Sequence, residues 1–278
     1  MPKSTSPADV ANLPLLAAQM RRTVLRTSMD AHVGHIGSAL SVVDILAVLF
    51  GRTLSLPAQD DPERDRFVLS KGHAALALYA ALAATERIPE EALSTYCGDE
   101  TLLGVHPERE LSWVDFSTGS LGQGLSLAAG AALAARLDGS PRRSFALLSD
   151  AECNEGAVWE AAMFAAHHKL SNLTAIVDAN GQQALGYTRD VLDLEPLADR
   201  WSAFGWHAVE VDGHDHDAMT RTLEGALSQT QPTVVIARTT FGKGVSFMEN
   251  LIKWHYLPMS ESEFERALAE IDAAGESR

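Results

Sequence analysis

Cysteine is scarce: Cys97 and Cys153 are the only two among 278 residues. Two thiols cannot build a disulfide framework, and neither paired cysteines nor a His-Glu-x-x-His run offers a zinc site. Basic residues are outnumbered, 22 lysines and arginines against 37 acids, for a formal net charge of −15. That deficit argues against a nucleic-acid or anionic-membrane surface and leaves room only for a local positive pocket. No apolar run reaches the roughly 18 residues of a membrane span; the alanine-rich run 125–137 is shorter and ends in charge. The amino terminus also lacks the basic, apolar and small-residue succession of a signal peptide. The expectation is a cytoplasmic protein with neither nucleic acid nor membrane as partner.

What is present is an alternation of apolar strands and helices. Helical spacing runs through Leu13, Leu16, Met20, Val24 and Met29, and "GHIGSALSVVDILAVLFG" reads as a glycine-punctuated turn and a second helix. "DRFVLS", "WHAVEV" and "PTVVIART" read as strands, while "GHAALALYAALAA", "LGQGLSLAAGAALAARL" and "DHDAMTRTLEGALSQ" read as helices. With the two strands considered below this makes at least five. The fold class is α/β, a mostly parallel central sheet with helices on both faces. With no repeat or linker in view, residues 1–278 are expected to form one domain, with 1–8 a mobile lead-in and 260–278 a serine-capped terminal helix. Residues 87–117 are the least regular stretch, the kind that builds sites.

One segment carries chemistry by its order alone. Residues 145–148 read as a strand, 157–168 as a helix and 173–177 as a strand, one βαβ unit with a right-handed crossover. Asp150 and Asn180, thirty residues apart, then fall at the carboxyl edge of the sheet, beside a helix amino terminus. Open α/β sheets bind ligands at that edge, and free N–H groups there favour an anion such as a diphosphate. A diphosphate brings a divalent cation, and Mg²⁺ takes hard oxygens: the Asp150 carboxylate, the Asn180 amide and the Gln182 carbonyl. The competing reading is an acid that only caps a helix.

His35, His73, His106 and His255 each fall in a turn or at a helix start, where imidazoles can hydrogen-bond sugar hydroxyls and exchange protons. Taken singly, each could equally be a surface or satisfied core residue. Gly119, Gly122 and Gly124 allow close approach of backbone to a ligand, but their order is not that of a dinucleotide fingerprint. The helix after them could equally be core packing.

Together, "GHIGSALS", "DRFVLSKGHAALALYA", "STGSLGQGLS", "ECNEGAVWEAAMFAAHHKLSNL" and "GKGVSFMEN" followed by "WH" resemble the transketolase family, in the family's order, from about Met20 to Pro258. The likeness is greatest to the amino-terminal chain of transketolases divided over two chains. It implies a thiamine diphosphate-binding domain and transfer of a two-carbon ketol unit from a ketose or ketose phosphate to an aldose, the thiamine serving as carbanion sink. By resemblance, Asp150 and Asn180 bind Mg²⁺ (or Ca²⁺) by side chain and Gln182 by its carbonyl. Gly119, Leu121 and Ala151 pack beside the cofactor, Glu155 is an acid of the cofactor loop, and the four histidines contact substrate hydroxyls, line the diphosphate (His73) and shuttle protons. The resemblance also implies a partner chain, carrying the pyrimidine-binding domain, its glutamate and the basic residues for a substrate phosphate. That assembly is expected to hold two of each chain, with this chain inactive alone.

Two departures bear on this. The family usually has Gly-Asp-Gly where this chain has Ser149-Asp150-Ala151, so a positive φ at Ala151 would damage the site, and Ile36 replaces a common proline. The alternatives are a non-catalytic scaffold or regulatory chain that has lost the cofactor, and the alpha subunit of a 2-oxo acid dehydrogenase.

Overall fold

A computed structural model describes residue 10 and residues 12–276; the expected lead-in, 1–8, lies outside the described residues. The sheet is built from β1 (Arg66–Leu69), β2 (Ser144–Ser149), β3 (Leu173–Ala179), β4 (His207–Asp212) and β5 (Thr233–Arg238). Its pairings are all parallel, in the order β1-β2-β3-β5-β4. The α/β expectation holds, because strand residues alternate between two buried faces. Phe67, Phe145, Leu147, Ile176 and Val235 enter one core with the helices Leu13–Ala31, Val43–Val48 and Ala75–Ala84. Val68, Ala146, Leu148, Val177 and Ile236 enter the other, with Gly124–Leu137 and Gly156–His167. The small-residue helix does pack in the core, through Leu125, Ala128, Ala129 and Ala132.

Local signals acted where they were read. Asn12 caps the first helix by accepting from Leu15 N at 2.9 Å, and the buried positions include Leu13, Leu16, Met20 and Val24. The expected second helix is divided at Val42 into Ile36–Ser41 and Val43–Val48. Residues 87–117 hold one short turn of helix, Glu90–Thr95, and are tied down by the Tyr79 hydroxyl, which lies 3.1 Å from Gly104 O and 3.2 Å from His106 O. Among the described residues no helix is long and apolar enough to cross a membrane.

Five strands running the same way deliver five carboxyl ends to one edge. Ser70-Lys71 follows β1, Asp150 follows β2, Asn180 follows β3, His214 lies beyond β4 and Thr239 follows β5. Ser149 pairs in register with Asp178, so Asp150 emerges beside the turn that carries Asn180.

Candidate active site

Asp150 and Asn180 meet at that edge. Asp150 Oδ1 accepts from Ala151 N and Oδ2 from Gly181 N, both at 2.8 Å, which binds the carboxylate to the turn after β3. Asn180 Oδ1 accepts from Gln182 N at 2.9 Å, while its Nδ2 donates to Asp178 Oδ2 at 2.7 Å. With the amide nitrogen fixed inward, the amide oxygen is held on the side of Gln182. Such an outer partner orients a metal ligand.

Asp178 is the centre of a buried polar network. Its carboxylate accepts from Lys71 Nζ at 2.5 Å, Ser41 Oγ at 2.7 Å, Asn180 Nδ2 and Thr239 Oγ1. Lys71 and Asp178 both have side chains wholly out of solvent. The ammonium beside it and these hydrogen bonds outweigh burial and hold the Asp178 carboxyl below its ordinary range. Asp150 behaves oppositely: burial first and the Asp178 charge second push its carboxyl up to about 7. Lys71 is committed to Asp178, so no side-chain cation among the described residues pairs with Asp150, and its ionised form is left uncompensated. A divalent ion held by a carboxylate, an amide oxygen and a main-chain carbonyl fits this need.

The histidines converge near Lys71, whose charge acts on His35, His73 and His255 alike. His35, His73 and His255 form a triangle with ring centroids 5.3–5.6 Å apart. Burial, then neighbouring positive groups, lowers His73 well below the usual imidazole value and His255 to about 4; burial, then His106, lowers His35. At neutral pH these three are uncharged and can each donate and accept. His255 Nδ1 is buried without a hydrogen-bond partner among the described residues. His106 joins them from the irregular segment, its ring so close that a side chain at Gly119 would meet it at 3.1 Å.

The thiamine diphosphate-binding domain of transketolase matches this chain as a family model over residues 15–272. The chain belongs to the transketolase family. It is 41% identical to the 6-deoxy-6-sulfo-D-fructose transketolase subunit SqwG of a Clostridium species, over 92% of this chain and 94% of that one. It is 37% identical to an apulose-4-phosphate transketolase subunit of Phocaeicola vulgatus, over 95% of each. The crystal structure of transketolase from Campylobacter jejuni superposes with a TM-score of 0.87 at 30% identity, covering 94% of this chain and 42% of that one. The chain is thus an amino-terminal transketolase chain, matching relatives named as transketolase subunits over nearly their whole length.

The departure at Ala151 from the transketolase pattern is accommodated. Ala151 opens a 3₁₀ turn, Ala151–Asn154, and is not among the positive-φ residues, so its methyl group causes no backbone strain. The scaffold-only reading loses its structural argument. Leu121 is half-buried in the glycine loop, and Glu155 is exposed at the cap of helix Gly156–His167. Sequence reasoning assigned no role to Lys71, Asp178, Ser41, Thr239 or Glu152. Lys71 and Asp178 stood beside quoted site residues, and a lysine and an aspartate inside apolar strand ends were the available signal.

Proposed function

We propose that this transketolase chain holds the diphosphate and the metal of thiamine diphosphate and presents neutral histidines to a ketose and an aldose. The observation that carries this reading is the convergence of Asp150 and Asn180 on one turn, joined through Asp178 and Lys71 to the strand end that leads into His73 of the histidine triangle. Asp150, Asn180 and the Gln182 carbonyl would ligate Mg²⁺, and Gly119, Leu121, Ala151, Glu155 and His73 would line the cofactor. When bound, thiamine diphosphate supplies the electron sink for carbon–carbon cleavage and formation. His35, His106 and His255 bind the sugar hydroxyls and move protons at them, with the lowered pKa values of His35 and His255 keeping those two imidazoles uncharged.

The partner in this reading is a second chain with the pyrimidine-binding domain and its glutamate, two copies of each chain forming the enzyme. The whole described chain acts as one diphosphate-binding domain, and the free thiols Cys97 and Cys153 suit the cytoplasm. Two relatives are named for ketoses bearing an anionic group, a sulfo group in one and a phosphate in the other. A ketose with an anionic terminus is therefore the proposed donor, its charge met by the partner.

Calorimetric titration of the mixed chains with thiamine diphosphate, with and without Mg²⁺, tests this. Metal-dependent binding and ketol transfer are expected; pyruvate turnover without ketose turnover would refute the reading. His106→Ala should leave cofactor affinity unchanged and slow turnover at least about tenfold.

A further inference from the structure

Glu152 is fully buried, yet among the described residues no cation contacts its carboxylate. Its partners are neutral donors from three separate segments. Oε1 accepts from Ser70 Oγ at 2.5 Å, at the end of β1, and from Gly122 N at 2.7 Å, in the glycine loop. Oε2 accepts from Ser149 N at 3.3 Å, while Glu152 N donates to Ser149 Oγ at 3.0 Å. Ser149 and Glu152 therefore form a Ser-x-x-Glu capping box, here closed around Asp150.

A four-residue turn does not need a buried carboxylate for its cap. Taking a carboxylate wholly out of solvent costs free energy, so the fold works against holding this charge. The compensating gain lies in what the carboxylate joins. Gly122 has φ +89°, and a Cβ there would come within 2.7 Å of Glu155 Cβ; at Gly124 a Cβ would come within 2.2 Å of Ser70 Oγ. Thr118 Oγ1 donates to Leu69 O at 2.7 Å. The glycine loop thus lies directly on the end of β1 and on the turn after Asp150, and Glu152, in that turn, accepts hydrogen bonds from the loop, from the end of β1 and from the end of β2.

We propose that Glu152 is a positioning residue: without touching the cofactor, it fixes the 119–124 loop against the Asp150 turn before the cofactor arrives, and Ser149 fixes Glu152. This rests on the thiamine diphosphate reading of the site. Preorganisation of this kind raises affinity by removing the cost of ordering the loop on binding.

The variants are Glu152→Ala, which loses every side-chain bond, and Glu152→Gln, whose one oxygen can keep Ser70 and Gly122 while its NH₂ group faces Ser149 N. Two quantities are measured: affinity for Mg²⁺–thiamine diphosphate in the full chain with its partner, and amide exchange at 119–124 in the cofactor-free chain. Glu152→Ala is expected to weaken binding about tenfold or more and to accelerate Gly122 exchange by a similar factor, with exchange in helix Leu13–Ala31 unchanged. Glu152→Gln should keep Gly122 protected and bind within about threefold of wild type. Wild-type affinity in Glu152→Ala, or unchanged Gly122 exchange, overturns the proposal. Equal losses in Ala and Gln with a lower melting temperature overturn it too, since they would mark a purely structural residue. Should Glu152→Ala not fold, Glu152→Gln decides through the same two measurements. Failure of the wild type to bind the cofactor sinks the site reading instead, and the exchange experiment still tests the clasp.

Discussion

The chain contains a second Ser-x-x-Glu box, Ser260 to Glu263, before the terminal helix Glu261–Glu276. There Ser260 N donates to Glu263 Oε2 at 2.9 Å, Glu263 N lies 3.4 Å from Ser260 Oγ, and Lys253 Nζ reaches Glu263 Oε1 at 2.6 Å. The serine cap expected at residue 260 is present. Lys253, then Ser260, draws the Glu263 carboxyl down to about 2, whereas burial drives Glu152 up. The same four-residue pattern therefore does two jobs. In water it opens a helix with an ion pair of small worth; in the core it joins three segments at the expense of desolvating a charge.

The comparison predicts that damage grows with burial and with nearness to Asp150. The largest loss is expected for Asp150→Ala, which should abolish metal-dependent cofactor binding while circular dichroism shows the fold intact. Retained binding would move the metal elsewhere. Next, Lys71→Met leaves Asp178 buried without its cation and should cost about 3–5 kcal/mol in chemical denaturation. A loss below about 1 kcal/mol would mean that the network is not closed by that pair.

A direct contrast comes third: Glu152→Ala should destabilise the chain by about 1–3 kcal/mol, and Glu263→Ala by less than about 1 kcal/mol. Equal effects would erase the distinction between the two boxes. Two acids, Asp150 and Glu263, also separate in pH. Asp150 sits at about 7 when folded against an ordinary 3.8, so folding favours its protonated form, and the stability of the metal-free chain should fall as pH rises from about 4 to 7. Metal must displace that proton, so metal affinity should rise about tenfold per pH unit up to 7 and then level off. Glu263 works in the opposite sense: its contribution is present above the ordinary 4.5 and lost as pH falls toward 2. Denaturation midpoints across that range, in wild type and Glu263→Ala, separate the two.

Much of this was legible before folding. The strands expected at 145–148 and 173–177 are found as Ser144–Ser149 and Leu173–Ala179, and the helix expected at 157–168 as Gly156–His167. Period and punctuation are local, so they survive in one dimension, and the parallel order then places Asp150 and Asn180 at one edge. The histidine triangle was suggested by four similar contexts, but its geometry needed His255, 182 residues after His73, to be returned by the turn Lys253–Tyr256.

What was not legible shares one physical cause. Lys71 meets Asp178 across 107 residues, Ser41 reaches Asp178 across 137, and Ser70 reaches Glu152 across 82. A buried charge is tolerated only where specific partners surround it, and no spacing rule records partners brought from different strands. Composition, periodicity and motif order determined the sheet, its functional edge and the pair of residues that meet there. Tertiary structure alone decided that Asp178 has a cation beside it while Asp150 does not, and that Glu152, three residues before the expected Glu155, is the buried acid, because desolvation and pairing act only between groups that folding has brought into contact.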